Sequence, residues 1–311
     1  GIRDRRGARS GLRHLSHGAA EVQVDQIRAG SLDHHRLREW LFPVLPRHYG
    51  ADDCIAYARG FGAGASADWA ETDSPYLDAG AGLVALPMSA VALADGEFWQ
   101  KDPRTGIAWQ QIVHAQETLR MHRPLASEGT LVITQKIDEI YDRGAERGAM
   151  MLQSLHLNTP EGEAVASIEV TTVLRGNGGF GGKPQNTPRP TPLPERPADA
   201  SLEIATPREP DSLFRLSAEI AVAANAESKQ QSVLRGLGCF GLAGRGVLRM
   251  VCDNDATRLL SLSVRYAGPM LSGETMRIEL WHSEPGLALF RMHAIERDKP
   301  VLSHGVIEYV A

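Results

Sequence analysis

The 311-residue sequence predicts an α+β architecture in which two similar units each wrap an antiparallel sheet around a long helix. Three observations carry this. Runs that alternate apolar and polar residues, the pattern of half-buried strands, occur in both halves of the chain. A segment rich in Gly and then Pro, RGNGGFGGKPQNTPRPTPLPERP, stands between them. Both halves also repeat one order: a strand, a Pro-led turn, a second strand.

The first residues, GIRDRRGARSGLRHLSHG, are Arg-rich, and residues 1–35 read as a flexible leader. The most apolar long stretch is AGAGLVALPMSAVALADG. Pro87 inside it and Asp78 and Asp95 near its edges suit a buried or irregular helix better than a membrane span. GTLVITQKIDEI, AMMLQSLHLN and GEAVASIEVTTVL follow as strands, so residues 36–174 form the first unit. Residues 175–199 cannot enter a helix or a sheet interior and are read as a linker.

Residues 200–311 form the second unit. GLGCFGLAGRGVLRMV predicts a helix over 236–251, apolar nearly all round and hence buried. Each interior Gly costs it roughly 0.5–1 kcal/mol against Ala, so close packing of a sheet must compensate. LLSLSVRYAG, ETMRIELWHSE, LALFRMHAIE and SHGVIEYV follow as strands. In the first of these Leu260, Leu262, Val264 and Tyr266 share one face. A long buried helix followed by four antiparallel strands describes a hot dog, and two such units make a double hot dog. LRMHRPLASEGTLVITQKIDE resembles VRYAGPMLSGETMRIELWHSE, with Pro124 matching Pro269 and Gly129 matching Gly273. This is a degenerate duplication with a period of roughly 145 residues.

The net charge of −5 gives no general attraction to nucleic acid or to an anionic membrane. Cys54, Cys239 and Cys252 have no metal-binding spacing, and their odd number points to a reducing, cytoplasmic compartment. The final residues, EYVA, are no peroxisomal address. GNGGFGGKP is not a phosphate loop, because Lys183 is followed by Pro184. Gly-x-Ser-x-Gly and His-Glu-x-x-His are absent, and the adjoining His34 and His35 read as solvated rather than metal-binding.

VHAQETLRMHRPL, RGNGGFGGK, FRLS, GLGCFGLAGRGVL, DNDATR and VRYAGPMLSGETM occur in an order that resembles hydratase 2, the (R)-specific enoyl-CoA hydratases of the MaoC-like dehydratase group. The resemblance implies a double hot dog whose second unit is catalytic and whose degenerate first unit binds the acyl chain. It implies reversible addition of water to a trans-2-enoyl-CoA, giving the (3R)-hydroxyacyl-CoA in fatty-acid metabolism. It implies no cofactor and no metal, an acyl-CoA thioester as partner, and a possible homodimer. Gly236, at the start of the buried helix, takes the place of the oxyanion donor. His114 with Ala115 takes the place of a His-Gly pair on the acyl-CoA. Arg143 takes that of a basic residue meeting CoA phosphate, and Tyr266 that of an aromatic beside the ligand.

The acid–base pair departs from the family. The pattern Leu-Ser-Gly-Asp-x-Asn-Pro-x-His is represented here by LSAEIAVAA. Glu219 falls on the Asp, Ala221 on the Asn and Ala224 on the His. Asn225 lies one place beyond and cannot act as a base, and Arg235 replaces a further His before Gly236. The expected catalytic residues are therefore Glu219 and Gly236. The competing reading is a non-catalytic acyl-CoA-binding homologue that retains the tunnel and has lost the base. A hot-dog thioesterase, with a carboxylate near a helix start, is a third.

Overall fold

Alternating apolar side chains need one covered face, and the chain satisfies this with one large antiparallel sheet. The computed structural model describes residues 32–206, 217–221, 232–234 and 236–311. Helix α1 is His34–Arg38, and the buried Leu32 and Leu37 show that packing begins just upstream of residue 36. The first unit continues with β1 (Leu45–Tyr49), α2 (Ala51–Gly60), α3 (Ala70–Asp73) and α4 (Ser89–Ala94). It closes with β2 (Ile112–Met121), β3 (Gly129–Asp142), β4 (Ala149–Asn158) and β5 (Ala164–Leu174). The second unit comprises β6 (Ala200–Ala205), β7 (Ser217–Ala221), β8 (Ser232–Leu234), α5 (Gly236–Val251) and β9 (Leu259–Tyr266). It ends with β10 (Met270–Leu271), β11 (Thr275–Glu284), β12 (Leu287–Ala294) and β13 (Lys299–Tyr309).

The ten-stranded sheet runs β1-β3-β4-β5-β2-β9-β13-β12-β11-β6. Read inward from either edge, the two units have the same order, and they meet where β2 pairs with β9. Thr118 lies opposite Ser263 there, 145 residues away, with their hydroxyls 2.8 Å apart. The same offset exchanges the neighbouring pairs, Glu117–Val264 and Leu119–Leu262. A pseudo-twofold axis therefore passes between Thr118 and Ser263, and the fold is a double hot dog. The helices differ between the units. The sixteen-residue α5 has only the ten-residue α2 and the six-residue α4 as counterparts.

Helix α5 is the buried centre, with Phe240, Leu242, Ala243, Val247 and Leu248 fully enclosed. Its glycines admit close neighbours on two sides, not from the sheet alone. A Cβ on Gly246 would lie 2.1 Å from Ile278 of β11. One on Gly244 would lie 2.4 Å from Met88, and one on Gly241 2.5 Å from Phe61 and 2.7 Å from the Tyr57 hydroxyl. Overpacking against rigid buried rings costs about 1–3 kcal/mol. The substitution Gly241→Ala is expected to lower unfolding free energy by that amount, measured by urea denaturation.

The other distinctive segments are structural. In DNDATR, Asp253 and Asn254 adopt left-handed conformations, and the Asn254 amide donates to the Leu248 carbonyl (3.0 Å), closing α5. The Asn254 side chain donates to Asp73 (2.9 Å) and accepts from Arg245 (3.1 Å). Asp73 and Arg245, both fully buried, pair at 2.7 Å. In RGNGGFGGK, the amides of Gly179 and Gly181 donate to the Asp142 carboxylate at 2.8 and 2.7 Å. Lys183 pairs with Glu139 at 2.8 Å. The Gly-rich start of the interdomain segment is thus tied to the end of β3. Among the described residues no helix is long and apolar enough to cross a membrane.

Candidate active site

Strand β2 supplies two polar side chains to one place because it carries a bulge. Residues three apart on a regular strand face opposite sides. His114 pairs with Thr172 and Gln116 with Thr171, so Ala115 is the extra residue in the ladder. The extra residue restores His114 and Glu117 to one face. His114 Nε2 lies 3.8 Å from Glu117 Oε2, too far for a hydrogen bond, and has no hydrogen-bond partner among the described residues.

Strand β9 adds Tyr266. Its hydroxyl donates to Glu117 Oε2 (2.7 Å) and lies 3.1 Å from the Gly236 carbonyl. The His114 and Tyr266 rings stand 4.7 Å apart at 34°. Burial, and next the Glu117 charge, hold the Tyr266 hydroxyl well above its ordinary pKa, so it remains a donor. Glu117 is 3% exposed. The substitution Tyr266→Phe removes that hydrogen bond from a buried carboxylate, which costs about 1–3 kcal/mol. Thermal unfolding is expected to report this loss.

Helix α5 begins against this group. A Cβ on Gly236 would lie 3.1 Å from His114 Nδ1 and 3.1 Å from the Tyr266 ring. The first amides of a helix lack intrahelical acceptors and sit at the positive end of its dipole. The start of a helix, an imidazole, a phenol and a buried carboxylate therefore converge. Such a set can polarise a carbonyl oxygen and hold or relay a proton.

The structure brings together Gly236, His114 and Tyr266, with Ala115 as the bulge residue. Arg143 stands apart from them, in the turn between β3 and β4, three strands across the sheet from β2. Its Nε is buried without a hydrogen-bond partner among the described residues. Glu219 and Ala221 lie on β7, not on a loop. Ser217 pairs with Leu234 and Ala218 with Val233, so the backbone of β7 runs beside the strand that leads into Gly236. The ladder shifts register between Ala218 and Ala221, which leaves Glu219 within an irregularity. Ala224, Asn225 and Arg235 lie outside the described residues.

Glu117 was not legible as a site residue, because strict alternation puts it opposite His114. The QET run after His114 gives no sign of the bulge. A cavity of ≈470 Å³ lies elsewhere: Trp40, Phe42, Leu45, Arg47 and Trp99 line it at the β1 edge. That is four strand spacings from β2, about 19 Å along the sheet.

Comparison with known proteins bears on the family and the fold. A family model described as the MFE-2 hydratase 2 N-terminal domain matches residues 48–176. The 3-hydroxyacyl-thioester dehydratase Y of Mycobacterium tuberculosis is 30% identical over 93% of this chain and 100% of its own length. The probable enoyl-CoA hydratase 2 of Dictyostelium discoideum is 30% identical over 63% of this chain and 69% of its own. Among solved structures, a MaoC-like dehydratase from Phytophthora capsici is 25% identical with a TM-score of 0.74, covering 89% of this chain and 98% of that one.

Proposed function

The chain belongs to the hydratase 2 group of MaoC-like dehydratases, and on that premise we propose that it interconverts a trans-2-enoyl-CoA and its (3R)-hydroxyacyl-CoA, a hydro-lyase reaction of fatty-acid metabolism. The observation that carries this reading is the start of α5 at Gly236, bare of Cβ and facing His114 and Tyr266. In the hydration direction a water oxygen bonds to the β-carbon and gives up a proton to a base. The α-carbon takes a proton, and the thioester oxygen carries negative charge between the two events. The Gly236 amide and the dipole of α5 stabilise that charge.

Glu219 is our candidate for the base. The pairing of β7 beside the entry to α5 supports it. Glu117 orients Tyr266, and through it the Gly236 peptide. Residues 200–311 supply the chemistry in this reading, and residues 36–174 take the acyl chain. Arg143 meets CoA phosphate, for which a guanidinium fork is suited. Three free cysteines fit our assignment of the protein to the cytoplasm. The exposed Leu41 (92%) and Val44 (60%), which precede edge strand β1, are a surface a second copy would cover in a homodimer.

Alanines at 221 and 224, where the family has Asn and His, favour a second reading, an acyl-CoA-binding homologue without turnover. One assay separates the two. The protein is mixed with trans-2-decenoyl-CoA and the enoyl absorbance is followed. Loss of absorbance with (3R)-hydroxydecanoyl-CoA as product is the expected result. Binding without loss establishes the second reading, and release of free CoA indicates a thioesterase.

A further inference from the structure

The pseudo-twofold axis between Thr118 and Ser263 gives each member of the His114 cluster a mate. An offset of 145 residues carries Tyr266 to Met121, Glu117 to Leu262 and His114 to Leu259. A second cavity, ≈160 Å³, stands there, walled by Met121, Leu259, Leu260, Leu125, Ala85 and Pro87. Ala85 and Pro87 lead into α4 as β8 leads into α5. The hot-dog plan thus has two poles. One keeps a phenol, an imidazole and a carboxylate, and the other has an apolar side chain in each of those places.

The pocket is open at its mouth, and its inner wall offers apolar surface that a methylene chain can cover. It has room for on the order of six methylene groups. Its mouth is polar and basic. Leu260 is 42% exposed and Arg123 43% exposed, and His122 stands beside them. His122 Nε2 bonds the Ser167 hydroxyl (3.1 Å), and one Arg123 nitrogen bonds Glu163 (2.6 Å). A guanidinium carries five donors, so the fork can take a second carboxylate.

We propose that this mirror pole is a binding pocket for a short fatty carboxylate, its tail among Met121, Leu259 and Leu125 and its carboxylate on Arg123. The proposal takes only its ligand class from the hydratase reading, and its test involves no turnover. Sodium hexanoate is titrated into the full chain while the Met121 methyl resonance is followed by NMR. A saturable shift is expected. Leu260→Trp, at an exposed position, fills the mouth and is expected to weaken binding tenfold or more. Arg123→Gln is expected to weaken hexanoate about tenfold and to leave hexanol unchanged. Hexanoate that leaves Met121 unmoved overturns the proposal. So does an undiminished shift in Leu260→Trp, or equal binding of hexanoate in Arg123→Gln.

Discussion

A chain carrying Ala218→Gly, Glu219→Asp, Ala221→Asn, Val222→Pro and Ala224→His is expected to hydrate trans-2-decenoyl-CoA roughly 10²–10⁴-fold faster than the parent. That range is what a well-placed acid–base pair contributes. The five changes recreate the family's Gly-Asp-x-Asn-Pro-x-His on β7 and the residues after it. The surroundings are already in place: the bare helix start at Gly236, the phenol of Tyr266 and the imidazole of His114. The shorter Asp also withdraws the carboxylate by one methylene, and small misplacement of a reacting group can cost about a hundredfold. Initial rates of parent and variant at equal substrate decide the matter. An unchanged rate would mean that Glu219 does not stand where the family's Asp does.

The second large effect concerns stability. Asp73→Asn is expected to destabilise the fold by about 3–5 kcal/mol. Asp73 and Arg245 are both 0% exposed and pair at 2.7 Å, and Arg249 adds a second contact at 3.4 Å. Removing the carboxylate leaves two guanidinium groups in the interior without their counter-charge. Burial and the nearby Arg245 charge already push Arg249 down to about 10. On a chain of this size the change lowers Tm by on the order of 10 °C.

Acid has the corresponding effect. Burial alone would raise the Asp73 carboxyl, but the Gly64 amide, Arg245 and Asn254 together hold it below its ordinary range. A carboxyl depressed in the folded state contributes in full above its unfolded value, near pH 4. That contribution is lost as pH falls through the lower folded value. The gap between parent and Asp73→Asn should therefore be constant from pH 5 to 7 and close below about pH 4. Urea titrations across that range measure it.

What the sequence revealed follows from how far each signal reaches along the chain. The span of α5 and the strands β4, β9, β11 and β12 are local patterns and are found close to their predicted positions. The duplication was visible because Pro124 and Pro269 open equivalent turns. Three features depend on residues far apart in the chain, and no local pattern marks them. The bulge at Ala115 is set by pairing with β5, so the place of Glu117 was hidden. The Asp73–Arg245 pair spans 172 residues. The glycines of RGNGGFGGK read as punctuation, whereas their amides enclose Asp142.

The seam at Thr118 and Ser263 also bears on how such a molecule can change over time. In a symmetric pair of separate chains, any substitution appears at both ends at once, and losing a reactive group at one end loses it at the other. Fused into a single polypeptide, the two ends are encoded by different codons and can drift independently. One can preserve its chemistry while the other exchanges phenol, imidazole and carboxylate for Met121, Leu259 and Leu262 without penalty to its twin.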